Sequence, residues 1–109
     1  MLKTTYTTNE VITLKLVSGE EIIGYYVKDD MASITLRKPL VPVPTDAGSV
    51  GLAPYIMSSD YLREAGGELG FSKNTIVTDT PTSKDFADAY VQQVSGLDVR
   101  HNNKPGLIT

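Results

Sequence analysis

Hydrophobic and polar residues alternate at 11–17 and again from Ser33, on either side of a mostly apolar stretch at 21–28, and the pattern is broken twice. Residues 11–17 place isoleucine and leucine at every second position, the pattern of a strand that is buried on one face. Ser18-Gly19 interrupts the alternation with residues typical of a tight turn, and Asp29-Asp30 interrupts it again. The pattern therefore predicts three consecutive antiparallel strands, at residues 11–17, at residues 21–28 and from Ser33 onward.

Gly24 lies in the middle of the second predicted strand. A glycine there has no side chain to pack and costs backbone entropy, so it commonly marks a bulge or a bend. A small sheet needs such bends to curl into a barrel. We therefore predict a bend at Gly24, although relief of crowding around Tyr25 would also account for the glycine.

Two further strands are predicted beyond these three. The third strand continues to Pro44, where closely spaced prolines remove ladder donors and indicate the edge of a sheet. Residues 50–58 are apolar and short enough for a fourth strand, and the β-branched residues of 71–79 predict a fifth. Residues 59–70 between them are interpreted as one helical turn or as a mobile hairpin loop.

The period of the pattern changes near the C-terminus. Residues 83–95 place apolar side chains at helical spacing and predict a helix that packs on the sheet or on a neighbouring subunit. The largest members of its apolar stripe are Phe86 and Tyr90, and both are expected to be buried. Gly96 suits the C-terminal stop of the helix, and residues 97–109 are interpreted as a tail.

The composition narrows the class of protein. The 109 residues carry a net charge of −3 and contain no cysteine. We expect a single domain, 1–109, without disulfides, whose small core makes oligomerisation favourable. The negative charge argues against a basic protein that coats nucleic acid without specificity, but not against a local patch that binds nucleic acid. No apolar run approaches the length of a membrane span, so we expect a cytoplasmic protein without a membrane partner.

Residues that could carry chemistry are few. His101 is the single histidine and lies in a polar stretch without a second ligand, so no metal site is expected. The pairs Glu20-Glu21 and Asp29-Asp30 have the chemistry for Mg²⁺ or for acid–base work, but they occur at turns, where carboxylates are usually solvated. No phosphate loop or nucleophile elbow is present. We therefore expect a protein that is not an enzyme and needs no cofactor.

The spacing of Gly19, Gly24 and Asp30 resembles the first sequence motif of the Sm and Sm-like (LSm, Hfq-type) family. In that motif an apolar strand ends at a glycine, the next strand holds a second glycine, and an aspartate precedes a third apolar strand. Two positions differ, because Asp29 stands where the family has an apolar residue and Ser33-Ile34 stands where it often has Met-Asn. The chain is also similar to Sm-like proteins of marine bacteriophages.

The resemblance implies an all-β fold, a small Sm-like barrel of five bent antiparallel strands at about 11–80 with an added C-terminal helix at about 83–95. It also implies a homo-oligomeric ring of about five to seven subunits. Such a ring would bind single-stranded RNA, or DNA, in nucleic-acid processing within a bacterial or phage-infected cell.

In Sm-like rings, the turn after the second strand and the turn before the fifth strand line a central pore. The nucleic-acid contacts implied by the resemblance are therefore Asp30, Met31 and Ser33 in the first turn, and Lys73 and Asn74 in the second. Gly19 and Gly24 would have structural roles only. An ordinary polar turn at Lys73-Asn74 is an equally good interpretation, and the same fold would serve as a protein-interaction or assembly module, phage structural or host-modulating, without nucleic acid.

Overall fold

The computed structural model describes residues 6–56, 58 and 67–102, and side chains as far as Ser95. This part of the chain contains six strands and one helix. In chain order they are β1 Val11–Leu16, β2 Glu21–Asp29, β3 Ser33–Pro44, β4 Val50–Pro54, β5 Glu68–Ser72, β6 Ile76–Pro81 and α1 Lys84–Asn102. The predicted all-β class with an added C-terminal helix is therefore confirmed.

The strands form one antiparallel sheet in the order β4-β3-β2-β1-β6, and β5 also pairs with β3. The long strand β3 pairs with β5 through residues 33–37 and with β4 through residues 40–44. In the described part of the chain, no ladder joins β6 to β4 or β5. The expected barrel is thus a sheet that is not closed, with β6 at one edge and β4 and β5 at the other.

The prolines at the end of β3 lie in a part of the strand that pairs on one side only among the described residues, so it is at an edge, as the sequence predicted. Residues 40–44 pair with β4 on one side, and β4 is itself an edge strand of the described sheet. Pro42 and Pro44 are tolerated because the ladder between β2 and β3 stops at the pair Ile23–Leu40, so the chain beyond it has one neighbour only.

The predicted fifth strand, 71–79, is wrong as a continuous element. A single 3₁₀ turn, Lys73–Thr75, divides it into β5 and β6. The Ser72 side-chain oxygen accepts a hydrogen bond from the Asn74 amide at 3.3 Å, and the Thr75 hydroxyl donates to the Ser72 carbonyl at 2.7 Å. Such local bonds compete with a strand ladder, and here they turn the chain from β3 toward β1. The predicted fourth strand also ends early, at Pro54.

Gly24 lies where β2 crosses closest to β3. A Cβ added to it would lie 3.1 Å from the Leu36 Cβ and 3.2 Å from the Arg37 carbonyl oxygen. The pairing register of β2 and β3 shifts between Ile23 and Tyr25, on either side of this glycine. The ladder is therefore irregular at Gly24, where a side chain would have little room, while the bend itself stays a prediction. Gly19, by contrast, is a turn glycine with a φ of 99°.

Two apolar clusters form the core. The larger one lies on one face of the sheet and consists of Ile12, Leu14, Leu16, Ile22, Tyr26, Ile34, Leu36 and Phe71. The smaller one consists of Ile23, Leu40, Tyr90 and Val94 and joins α1 to β2 and β3. Since Ile22 and Ile23 are adjacent in a strand and point to opposite faces, both faces of β2 are covered at this point.

The helix differs from its prediction in two ways. It does not stop at Gly96 but continues to Asn102, because one glycine weakens a helix without ending it. Tyr90 is fully buried, whereas the Phe86 side chain is 39% exposed, so the prediction of a buried Phe86 is wrong. In the described part of the chain, no helix has both the length and the apolar character needed to cross a membrane.

Two predicted segments lie wholly or partly outside the described residues. The helical turn or hairpin loop predicted at 59–70 is described only from Gly67, which precedes β5. The tail predicted at 97–109 is described only as far as Asn102, and there it is the last part of α1 rather than a tail.

Candidate functional site

The two turns predicted to carry nucleic-acid contacts lie side by side at one end of the sheet. Ser33 pairs with Ser72 in the ladder of β3 and β5. The Lys73 amide donates a hydrogen bond of 2.8 Å to the Ala32 carbonyl, which fixes the 3₁₀ turn against the turn between β2 and β3. We name residues 29–33 and 72–75 the turn surface. It brings together the five predicted contact residues, Asp30, Met31, Ser33, Lys73 and Asn74.

Asp30 shapes the first of these turns. Its Oδ1 accepts hydrogen bonds from the amides of Ala32 at 2.8 Å and Ser33 at 2.9 Å. These two amides are the main reason why the pKa of Asp30 is lower than usual, and the nearby Lys73 and Lys28 add to the effect. Asp30 is therefore ionised at neutral pH and committed to the turn, which makes it a structural residue more than a contact residue.

Lys73 forms an ion pair that the sequence analysis did not anticipate. Its Nζ lies 3.3 Å from Oδ2 of Asp29, and each of the two side chains is 37% exposed. Oδ1 of Asp29 accepts a second hydrogen bond, of 2.7 Å, from the Tyr26 hydroxyl. The carboxylate is thus held from two sides, and the Lys73 ammonium shares its charge with a neighbour from its own chain.

The remaining predicted residues differ in what they present to solvent. Met31 is 96% exposed and offers a flexible apolar side chain at the tip of its turn. Asn74 is exposed, while Ser33 is half-buried. A thioether, an amide and an ammonium on one surface can contact a base face, a base edge and a phosphate, respectively.

The turn surface is close to electrically neutral. Asp29 and Asp30 carry two negative charges, and Lys73 and the exposed Lys28 carry two positive charges nearby. An anion approaching this surface therefore meets no strong positive field. Among residues 6–56 and 67–95, no group of three His, Asp or Glu side chains is placed to hold a metal ion.

A tyrosine pair lies behind the turn surface and supports it. The rings of Tyr6 and Tyr26 are 5.4 Å apart, and the Tyr6 hydroxyl donates to the buried carboxylate of Asp79. Burial raises the pKa of Tyr26 to about 12, and its hydrogen bond to Asp29 adds to the shift. Both phenols are therefore neutral donors. The sequence offered no signal for this cluster, because its members come from opposite ends of the chain.

An apolar groove of about 560 Å³ lies beside the turn surface, between the β1–β2 turn and β5. Its apolar walls are formed by Leu16, Val17, Tyr55, Ile56, Leu69 and Phe71. Ser72 and Thr75 line its rim, but none of the five predicted contact residues does. The groove therefore adjoins the turn surface through Ser72 and Thr75 but contains none of the predicted contact residues.

Comparison with known proteins adds no relative from which a function could be transferred. No protein-family model matches this chain, and no curated protein matches it. The resemblance to Sm-like proteins carried by Gly19, Gly24 and Asp30 therefore stays a prediction, and the site must be judged by its own geometry.

Proposed function

We propose that this chain is an Sm-like protein that forms a homo-oligomeric ring and binds single-stranded RNA, or DNA, through the turn surface. The observation that carries the proposal is the hydrogen bond of 2.8 Å between the Lys73 amide and the Ala32 carbonyl. It joins two turns that are far apart in sequence and that the family resemblance implies for the same binding site.

The chemistry of the turn surface suits an unpaired strand better than a duplex. Met31 offers an apolar contact for an exposed base, Asn74 offers an amide for a base edge, and Lys73 offers an ammonium for a phosphate. One lysine per chain binds phosphate weakly. A ring repeats it around one axis, so a strand that contacts several subunits at once gains affinity by multivalency.

The ring is supported by the two free edges of the sheet. Among the described residues, β4 and β5 pair on one side, with β3, and β6 pairs on one side, with β1. Each edge carries an exposed valine, since Val50 on β4 is 56% exposed and Val77 on β6 is 63% exposed. Unprotected edges invite pairing, and head-to-tail pairing of two different edges closes into a ring without a free edge.

Light scattering of the purified protein should show several subunits, about five to seven by resemblance to the family. Val77→Glu, which places a charge on the β6 edge, should reduce the particle mass because a buried unpaired charge opposes pairing. Val91→Glu, at a helix position that is 39% exposed, is the matched control and should leave the mass unchanged. A monomer at every protein concentration would contradict the ring.

Fluorescence anisotropy with labelled oligonucleotides should show weak binding of single-stranded RNA in preference to duplex. The logarithm of the affinity should fall with the logarithm of salt concentration by roughly 0.7 for each phosphate contact. Lys73→Glu should abolish the binding without altering the particle mass. Lys84→Glu, the same charge reversal on an exposed lysine of α1, should leave it intact. Absence of binding by the intact ring at low salt would rule out the nucleic-acid function.

The second candidate function is a protein-interaction or assembly module without nucleic acid. It is favoured by the near-neutral turn surface and by the apolar groove beside β5, whose walls include Tyr55 and Phe71. An intact ring that retains no oligonucleotide at low salt would make this the preferred function.

A further inference from the structure

We infer that Asp29 limits the affinity of the turn surface by occupying Lys73 in place of a ligand phosphate. The inference rests on the proposed function and adds a residue that controls it. Asp29 stands at the position where the resemblance leads one to expect an apolar side chain, so this control is a feature of this chain. A phosphate must displace the Asp29 carboxylate before it can contact the Lys73 ammonium.

The geometry holds Asp29 in the inhibiting position. One carboxylate oxygen lies 3.3 Å from Lys73 Nζ, and the other accepts the Tyr26 hydroxyl at 2.7 Å. Tyr26 is itself buried and packs against Tyr6, so its hydroxyl is a fixed donor. A carboxylate held in this way presents oxygen atoms to the lysine much as a phosphate would.

Asp30 does not share this role, although it is the neighbouring carboxylate. Its Oδ1 is engaged by the amides of Ala32 and Ser33. Removing the charge of Asp30 would weaken its hydrogen bonds to the backbone and disturb the turn. The Asp29 side chain is bonded to the side chains of Tyr26 and Lys73, so changing it leaves the backbone hydrogen bonds of the turn in place. This difference makes Asp29 the residue to test.

The size of the effect follows from the exposure of the pair. Because both side chains are 37% exposed, water screens their attraction, and such pairs change an equilibrium by up to about fivefold. When a phosphate displaces Asp29 from Lys73, the freed carboxylate takes up a cation from solution, which offsets a cation released from the nucleic acid. The salt dependence of wild-type binding should therefore be shallower than the number of lysines suggests.

The test compares two variants of the assembled full chain that change the net charge equally. Asp29→Asn keeps the shape of the side chain and an acceptor for Tyr26, and it frees Lys73. Binding of labelled single-stranded RNA should tighten by up to about fivefold per phosphate contact, and the salt slope should steepen by up to about 0.7 per contact. Asp46→Asn, in the exposed loop after the opposite end of β3, should leave the slope unchanged.

A third variant separates the positioning of Asp29 from its charge. Tyr26→Phe leaves the carboxylate ionised but removes the hydroxyl that orients it. The affinity should rise by less than in Asp29→Asn, with an intermediate salt slope. If Tyr26→Phe fails to fold, as judged by circular dichroism, the comparison of Asp29→Asn with Asp46→Asn still tests whether Asp29 limits the affinity for RNA.

The outcomes separate the two proposals. Equal affinities and equal slopes for wild type, Asp29→Asn and Asp46→Asn would overturn the role of Asp29 and leave the binding function standing. Equal tightening by Asp29→Asn and Asp46→Asn would show an effect of net charge alone and also overturn it. No binding by wild type or by Asp29→Asn at low salt would overturn both proposals. Binding by Asp29→Asn alone would support both.

Discussion

Truncating Tyr90 to alanine should lower the free energy of unfolding by about 3–5 kcal/mol, the usual cost of removing a buried aromatic ring. Tyr90 is 0% exposed, and its ring meets that of Tyr25 edge-on at 5.1 Å. Its hydroxyl shares its single hydrogen between the carbonyl of Lys38, at 2.7 Å, and that of Arg37, at 3.1 Å. These carbonyls lie where β3 changes its pairing partner from β5 to β4. Tyr90 therefore anchors α1 to the sheet at this change of partner.

Urea unfolding followed by circular dichroism measures this loss. Two control variants are available on the same helix, α1. Tyr90→Phe should cost only about 1 kcal/mol, the net contribution of a hydrogen bond. Phe86→Ala, at a side chain that is 39% exposed, should cost well under half as much as Tyr90→Ala. A Tyr90→Ala protein that melts within a degree or so of wild type would show that α1 contributes nothing to the fold.

Replacing Gly24 with valine should cost at least about 2 kcal/mol, because β3 leaves no room for a branched side chain. The first added carbon would already lie 3.1 Å from Leu36 Cβ and 3.2 Å from the Arg37 carbonyl. Leu36 is 0% exposed, so it cannot move aside into solvent. The two backbones must separate, and the register shift between Ile23 and Tyr25 would be disturbed.

Thermal unfolding of two glycine-to-alanine variants isolates the steric effect. Gly24→Ala adds one carbon at the crowded position and should lower the stability by about 1 kcal/mol or more. Gly70→Ala adds the same carbon in β5, where its nearest neighbour would be 3.6 Å away, and should be close to neutral. Equal melting temperatures for the two variants would rule out the close approach at Gly24.

The spacing of apolar residues was sufficient to predict the strands and the helix that depend only on neighbouring residues in the sequence. The alternation of apolar residues predicted β1 and the start of β3, because a strand with one buried face needs that period, and the apolar run between two turns predicted β2. Gly24 was identified as a point of irregularity since a strand tolerates a central glycine only for a steric reason. The change of period near residue 83 predicted α1, and the resemblance carried by Gly19, Gly24 and Asp30 identified two turns that the fold brings together.

The ion pair of Asp29 with Lys73 could not be predicted in the same way. The two residues are separated by 44 positions, and their contact depends on the pairing of β5 with β3. From the sequence, Asp29 was a turn carboxylate at a position where the motif has an apolar residue, and nothing indicated which residue it would meet. In the fold, one of them shapes the turn and the other meets a lysine.

The sequence by itself determined that this chain forms a sheet of half-buried strands followed by an amphipathic helix, since both are written in the spacing of its apolar residues. Only the tertiary structure decided that the sheet stays open, that Lys73–Thr75 divides β5 from β6, and that Tyr90 is buried while Phe86 is not. The physical reason is that the spacing of apolar residues in a helix shows which side chains share one face and can be buried together. How far the underlying sheet extends decides which of them are covered.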